Sequence, residues 1–195
     1  MINNDNELRY NITLLGESKV GKTSIISVLK GFQFEDVTLL TMGIDNFTQD
    51  AEINGKKCIF KIFDTAGQER YKSISTSIIK QSDGFLLVYA IDDKDSFDKI
   101  NEWIQAIEDE VNLSNKAIYI VGNKIDIKNR KITYEQGKKL SDDKNVEYFE
   151  TSAKTKEGIK EVFQQIYEKI YNLNKDKQNK NKKLKIKKKK KIIGC

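Results

Sequence analysis

Residues Gly16-Glu17-Ser18-Lys19-Val20-Gly21-Lys22-Thr23 bring two glycines, a lysine and a hydroxyl to the spacing G-x-x-x-x-G-K-[ST]. That spacing suits a phosphate ester. Glycines let backbone N–H groups curl around phosphate oxygens at a helix N-terminus, where the dipole favours an anion. Lys22 can reach the β- and γ-phosphates, and the Thr23 hydroxyl can ligate Mg²⁺. The phosphate-binding set therefore runs from Gly16 through Glu17, Ser18, Lys19, Val20, Gly21, Lys22 and Thr23 to Ser24.

A second group, Asp64-Thr65-Ala66-Gly67-Gln68-Glu69-Arg70, narrows the reaction. Asp64 closes an apolar run, where a carboxylate can reach Mg²⁺ through water. Gly67 permits a backbone N–H to approach a γ-phosphate, and Gln68 is placed to orient an attacking water. A third group, Asn123-Lys124-Ile125-Asp126, chooses the base. The Asp126 carboxylate can accept hydrogen bonds from N1–H and the 2-amino group of guanine, a donor pair that adenine lacks, so it rejects adenine. Lys124 can lay its alkyl stem over the purine. Thr151-Ser152-Ala153-Lys154 can present a backbone N–H to the guanine O6.

These groups need a scaffold, and the hydropathy pattern supplies one. Tyr10–Leu15 reads as a strand and Lys22–Lys30 as a helix with Ile25, Ile26 and Leu29 on one face. Ile44–Ile53 and Lys57–Phe63 flank Asn54-Gly55, a strong hairpin signal. Gly84–Ile91 reads as a buried strand, then Ser96 as the N-cap of a helix through Val111. Ala117–Gly122 and Tyr148–Thr151 read as strands, and Thr133–Leu140 and Lys156–Tyr171 as helices. Alternating strands and helices predict an α/β fold with a mainly parallel sheet covered by helices on both faces.

Composition excludes several classes. The chain has 195 residues, no His, no Pro and two Cys, so a Ser-His-Asp triad and His-ligated metals are ruled out. Cys58 and Cys195 are too far apart in sequence and too few for a disulfide framework. Met1 to Tyr10 is polar, without the apolar core of a secretory signal, and the chain is expected to be intracellular. The net charge of +6 divides unevenly. Residues 172–195 hold 11 Lys against one acid, a net of +10, which leaves −4 for residues 1–171. Beyond Asn172 the apolar period fails and Lys and Asn dominate, which predicts disorder.

With these motifs in this order, the sequence resembles the Ras superfamily of small GTPases and, within it, the Rab family, from about Leu8 to Tyr171. The resemblance implies a P-loop NTPase fold with a six-stranded sheet, one antiparallel edge strand and five helices. It divides the chain into a short N-terminal extension (1–7), a GTPase domain (8–171) and a polybasic membrane-targeting tail (172–195). Thr41-Met42-Gly43-Ile44-Asp45 looks like the Rab switch I motif, making Thr41 a second protein ligand to Mg²⁺ beside Thr23. Phe34 falls where the family keeps an aromatic ring against the guanine. Gln68 is the implied catalytic residue, Gly67 and Thr41 join the phosphate set, and Arg70 is read as a switch II structural residue.

The implied activity is GTP hydrolysis to GDP, slow without help, in a switch for vesicle and membrane trafficking. Implied partners are an exchange factor, a GTPase-activating protein supplying an Arg in trans, GTP-dependent effectors, a prenylation escort and a GDP-dissociation inhibitor. The chain is expected to be a monomer that binds no nucleic acid. Its tail and a prenylated Cys195 are expected to hold it on the cytoplasmic face of an endomembrane, vesicle or plasma membrane, with a cytosolic pool. A Ras-like signalling GTPase with a nuclear or RNA-associated tail is the alternative. The sequence also departs from the family: Asn46, Phe63, Ile78, Ile79 and Ala90 replace usual residues, and Lys19 stands where a small residue is usual, facing either solvent or phosphate.

Overall fold

Strand β1 (Leu8–Leu15) lies at the centre of the sheet because its four last residues are all buried. In the computed structural model, which describes residues 7–35, 44–65 and 76–193 and side chains only as far as 177, β1 pairs in parallel on both edges. On one side runs β3 (Lys56–Thr65), with Leu14 opposite Asp64; on the other runs β4 (Gly84–Ala90). The full order is β2-β3-β1-β4-β5-β6, with β2 at Ile44–Ile53, β5 at Ala117–Asn123 and β6 at Glu147–Thr151. Among the described strands only β2 is antiparallel, and it turns into β3 through Asn54 and Gly55, both at positive φ (52° and 71°) as a two-residue turn of this twist requires. The expected six-stranded, mainly parallel sheet with one antiparallel edge is present.

Helices cover both faces. Strand β4 is buried along its whole length, and its side chains alternate between two cores. Leu86, Val88 and Ala90 join the core under α1 (Lys22–Leu29) and α6 (Ile159–Ile193). Phe85, Leu87 and Tyr89 join the core on the opposite face, under α2 (Thr76–Gln81), α4 (Ile100–Glu108) and α5 (Tyr134–Asp143). The α6 stripe Ile159, Val162, Phe163, Ile166, Tyr167 and Ile170 follows the helical period and is buried throughout. Truncating Phe163 to Ala would cost about 3–5 kcal/mol.

Four local expectations change. Asp93, not Ser96, caps the helix after β4: its Oδ1 accepts from the N–H groups of Asp95 (3.1 Å) and Ser96 (3.3 Å). Ser96 is instead buried, donating to the Asp93 carbonyl and accepting from the Ala90 N–H. The single helix expected there is two segments, α3 (Lys94–Asp98) and α4, meeting at Lys99. Helix α2 is not marked in the sequence, because six residues give no period to read.

The fourth change concerns the tail. Disorder was expected from Asn172, but α6 continues as helix to Ile193. No Gly or Pro occurs between Gly158 and Gly194, and Lys, Leu and Gln are good helix formers, so nothing breaks the backbone pattern where the apolar period ends. Its start also moves, from Lys156 to Ile159, because Lys156 and Gly158 both take positive φ. No helix among the described residues is long and apolar enough to cross a membrane.

Candidate nucleotide site

The loop between β1 and α1 is shaped by its glycines. Gly16 has φ 144°, and a Cβ there would meet the Val88 carbonyl oxygen at 2.0 Å. Gly21 has φ 99°, and a Cβ would meet Asn123 Nδ2 at 2.4 Å. Both positions therefore exclude a side chain. Gly21 also gives the first turn of α1 no side-chain cap, and no acid lies in that turn, so the positive end of the helix dipole favours an anion there.

The cation sits inside the loop. Lys22 is buried, and its Nζ donates to the carbonyls of Gly16 (2.8 Å) and Glu17 (3.0 Å), which folds the side chain back across the loop. Lys19 is exposed, at φ 65°. Val20 is fully buried, and its carbonyl accepts from Asn123 Nδ2 at 2.8 Å.

Asp64 stands at the end of β3 opposite Leu14, just before Thr65, whose hydroxyl donates to the Leu14 carbonyl at 2.8 Å. Its side chain is 5% exposed, and Oδ1 has no hydrogen-bond partner among the described residues. Burial pushes the carboxyl above its usual range, while a hydrogen bond with Thr23 and the charge of Lys22 pull it partly back. A buried carboxylate oxygen left without a donor beside a Thr hydroxyl is a costly arrangement unless a cation joins it. These hard oxygen donors fit Mg²⁺.

On the base side, Asn123 ends β5 and holds three segments together. Besides Val20, its Oδ1 accepts from the Thr151 hydroxyl (3.1 Å) and the Ala153 N–H (3.3 Å). Asp126 is exposed, with Oδ1 accepting from the buried Ser152 hydroxyl at 2.6 Å, which fixes the carboxylate's direction. Lys124 takes φ 70° and pairs with Asp92 at 3.8 Å, a partner the sequence reading missed because nothing in spacing ties two residues 32 apart. Lys154 Nζ lies 5.9 Å from the centroid of the Phe34 ring, so the expected aromatic does stand beside the Ser152-Ala153-Lys154 loop.

The structure thus brings Gly16, Gly21, Lys22, Thr23 and Asp64 to one end of the β1 and β3 edge, and Asn123, Asp126, Ser152 and Ala153 to the adjacent edge of β5 and β6. Asn123 bridges the two groups. Thr41, Gly67, Gln68, Arg70 and Cys195 lie outside the described residues.

Comparison with known proteins shows the family. The family model described as Ras family matches residues 11–172. The chain is 34% identical to the GTP-binding protein YPT52 of Saccharomyces cerevisiae, over 87% of this chain and 85% of that one. It is 37% identical to the Ras-related protein Rab-8B of Homo sapiens (79% and 74% covered) and 35% identical to Rab-18 of Caenorhabditis elegans (82% and 78%). The match spans the β1–α1 loop and the loops after β5 and β6 that Asn123 joins, and the chain belongs to the Ras family and, within it, to the Rab-type small GTPases.

Proposed function

We propose that the edge carrying Lys22, Asp64 and Asp126 is the nucleotide seat of a two-state switch. The chain is a Rab-like small GTPase that binds GTP and GDP, hydrolyses GTP and serves membrane trafficking; the Rab relatives do not favour the nuclear or RNA-associated alternative. The observation that carries the reading is the Asn123 bridge. It holds the phosphate loop at Val20 and the base loop at Ala153 in one rigid frame, so a guanine nucleotide meets both ends at a fixed separation.

In this reading Lys22 neutralises phosphate charge inside the loop, and the first N–H groups of α1 receive phosphate oxygens. Asp126, oriented by Ser152, accepts from N1–H and the 2-amino group, while Phe34 and Lys124 flank the base. Thr23 and Thr41 would hold Mg²⁺ directly and Asp64 through water; bound there, the ion offsets charge on the β- and γ-phosphates. Gln68 orients the attacking water, and Gly67 and Thr41 answer the γ-phosphate, so their loops relax once it leaves. With Arg70 read as a switch II structural residue, hydrolysis is slow and awaits an activating protein that supplies an Arg in trans.

The lysine-rich end of α6 and a prenylated Cys195 supply two membrane signals, sufficient together for stable anchoring, with an escort and a GDP-dissociation inhibitor handling the lipid. The deciding experiment is Asp126→Asn. Xanthine carries a carbonyl where guanine carries the 2-amino group, so an amide that can donate should lose GDP and gain XDP. Retention of wild-type GDP affinity by this variant would remove the base assignment. For the tail, Cys195→Ser should leave membranes on fractionation; a variant that stays would defeat the lipid assignment.

A further inference from the structure

Under the guanine-side loops runs a polar chain that the nucleotide reading leaves unused. Tyr89, Gly122 and Glu150 face one another across β4, β5 and β6, and Tyr148, two residues before Glu150, shares its face of the sheet. Room for this chain is made by two glycines. A Cβ on Gly122 would lie 2.8 Å from the Tyr89 hydroxyl and 3.0 Å from that of Tyr148. On Gly137, in α5, it would lie 2.3 Å from the Tyr148 hydroxyl and 2.4 Å from its Cζ. One ring thus fills a space that two separate elements leave open.

The direction of each proton follows from the acceptor. A carboxylate only accepts. Glu150 Oε1 accepts from Arg130 Nη1 (2.7 Å) and from the Tyr148 hydroxyl (2.8 Å), and Oε2 accepts from Arg130 Nη2 (2.8 Å). The Tyr148 proton is therefore committed to Glu150. In the 2.8 Å contact between the two tyrosines, Tyr89 must be the donor. The chain reads Tyr89 to Tyr148 to Glu150, met from the other side by a two-pronged Arg130, a pairing that fixes angle as well as distance.

Both ends of this chain are tied to the loops that would read the base. Arg130 stands four residues after Asp126, donates also to the Ile132 carbonyl (3.1 Å), and is followed by Lys131 and Ile132, whose N–H groups both bind the Ile91 carbonyl. Glu150 immediately precedes Thr151 and Ser152, which hold Asn123 and Asp126 respectively. The segment after Asp126 is thus pinned at its near end by Asn123 and at its far end by Arg130. Both anchors lead to the same four residues of β6 and the turn after it.

We infer that Tyr148, Glu150 and Arg130, with Tyr89 as first donor, are positioning residues that set how strictly Asp126 demands the 2-amino group of the base. The inference rests on the guanine reading above and names what holds that reading in register. A shift of Glu150 moves Ser152 and Arg130 relative to each other, and Asp126 turns away from the base, while Lys22, whose bonds to the Gly16 and Glu17 carbonyls do not run through Glu150, keeps its place in the phosphate loop.

The test is release of fluorescent GDP and IDP from the full chain, since inosine lacks the 2-amino group. Tyr148→Phe removes one hydroxyl, and Glu150→Gln keeps shape while weakening the fork. Each should speed GDP release about three- to tenfold, the size of one lost hydrogen bond, and change IDP release less than about twofold. The wild-type preference for GDP over IDP then shrinks. Equal acceleration of both nucleotides, or no change in either, overturns the inference. A wild type that holds IDP as tightly as GDP would sink the guanine reading and this inference with it; a wild-type preference that survives intact in both variants sinks the inference alone.

Discussion

Asn123 Nδ2 donates to the Val20 carbonyl at 2.8 Å across 103 residues of sequence, while the same side chain's Oδ1 accepts from Thr151 and Ala153. One amide 1% exposed therefore satisfies three groups from two loops. Asn123→Ala strands all three. An unsatisfied buried group costs about 1–3 kcal/mol, so a total of about 3 kcal/mol or more is expected. Thermal unfolding of the nucleotide-bound variant should fall by roughly 6–12 °C, with GDP release faster by about tenfold or more. A variant that melts with the wild type would show that the bridge contributes little.

Tyr167 offers the opposite sign. Its ring stacks on Phe60 at 4.0 Å between centroids, but its hydroxyl is buried without a hydrogen-bond partner among the described residues. Tyr167→Phe keeps the stack and removes the desolvated group. The expected result is a gain of about 1 kcal/mol, read in urea as a higher midpoint at unchanged slope. Loss of stability would mean that the hydroxyl has a partner after all.

How far the sequence reveals these features depends on how local their cause is. The shape of the β1–α1 loop is legible because backbone sterics at Gly16 and Gly21 admit no other residue and leave a fixed spacing. β4 is legible because both of its faces are covered, so its seven residues read as one apolar run. The cap before α3 is not: Asp93 and Ser96 are both good caps three residues apart, and only the Ala90 N–H, which engages Ser96, decides between them. The tail is misread for a related reason. Loss of the apolar period carries no information about whether the α6 backbone stays helical. Arg130, Glu150 and Tyr148 carry no spacing at all, since their meeting depends on the register of β5 with β6. Tyr89 and Tyr148 read simply as core aromatics until Gly122 and Gly137 are seen to make room for them.

Buried tyrosines set an alkaline limit. Burial pushes Tyr10 and Tyr89 up to about 12, and Tyr119, Tyr148 and Tyr167 further up. In the unfolded chain all five ionise near pH 10. Above that pH the unfolded state gives up protons that the native state keeps, so stability falls as pH rises and is untouched below about pH 9. At about 1.4 kcal/mol per pH unit each, five phenols remove roughly 7 kcal/mol per unit, comparable with the whole stability of a domain. Unfolding should therefore set in near pH 11. Phenolate absorbance and circular dichroism should change together for these residues; ionisation well before the loss of helical signal would contradict it.

Gly137 lies within α5, where Gly→Ala ordinarily gains about 0.5–1 kcal/mol because alanine restricts the unfolded chain and favours helix. Here the added Cβ would stand 2.3 Å from the Tyr148 hydroxyl, 2.4 Å from Cζ and 2.6 Å from Cε2. The ring cannot swing aside, since its hydroxyl is held between Tyr89 and Glu150. Overpacking of this kind costs about 1–3 kcal/mol, which exceeds the propensity gain and reverses the sign. Gly137→Ala should therefore destabilise the wild type. In a Tyr148→Ala background the obstacle is gone, and the same substitution should stabilise. A denaturant-melt double-mutant cycle measures the coupling directly; the same sign in both backgrounds would mean that Gly137 is glycine for some reason other than the Tyr148 ring.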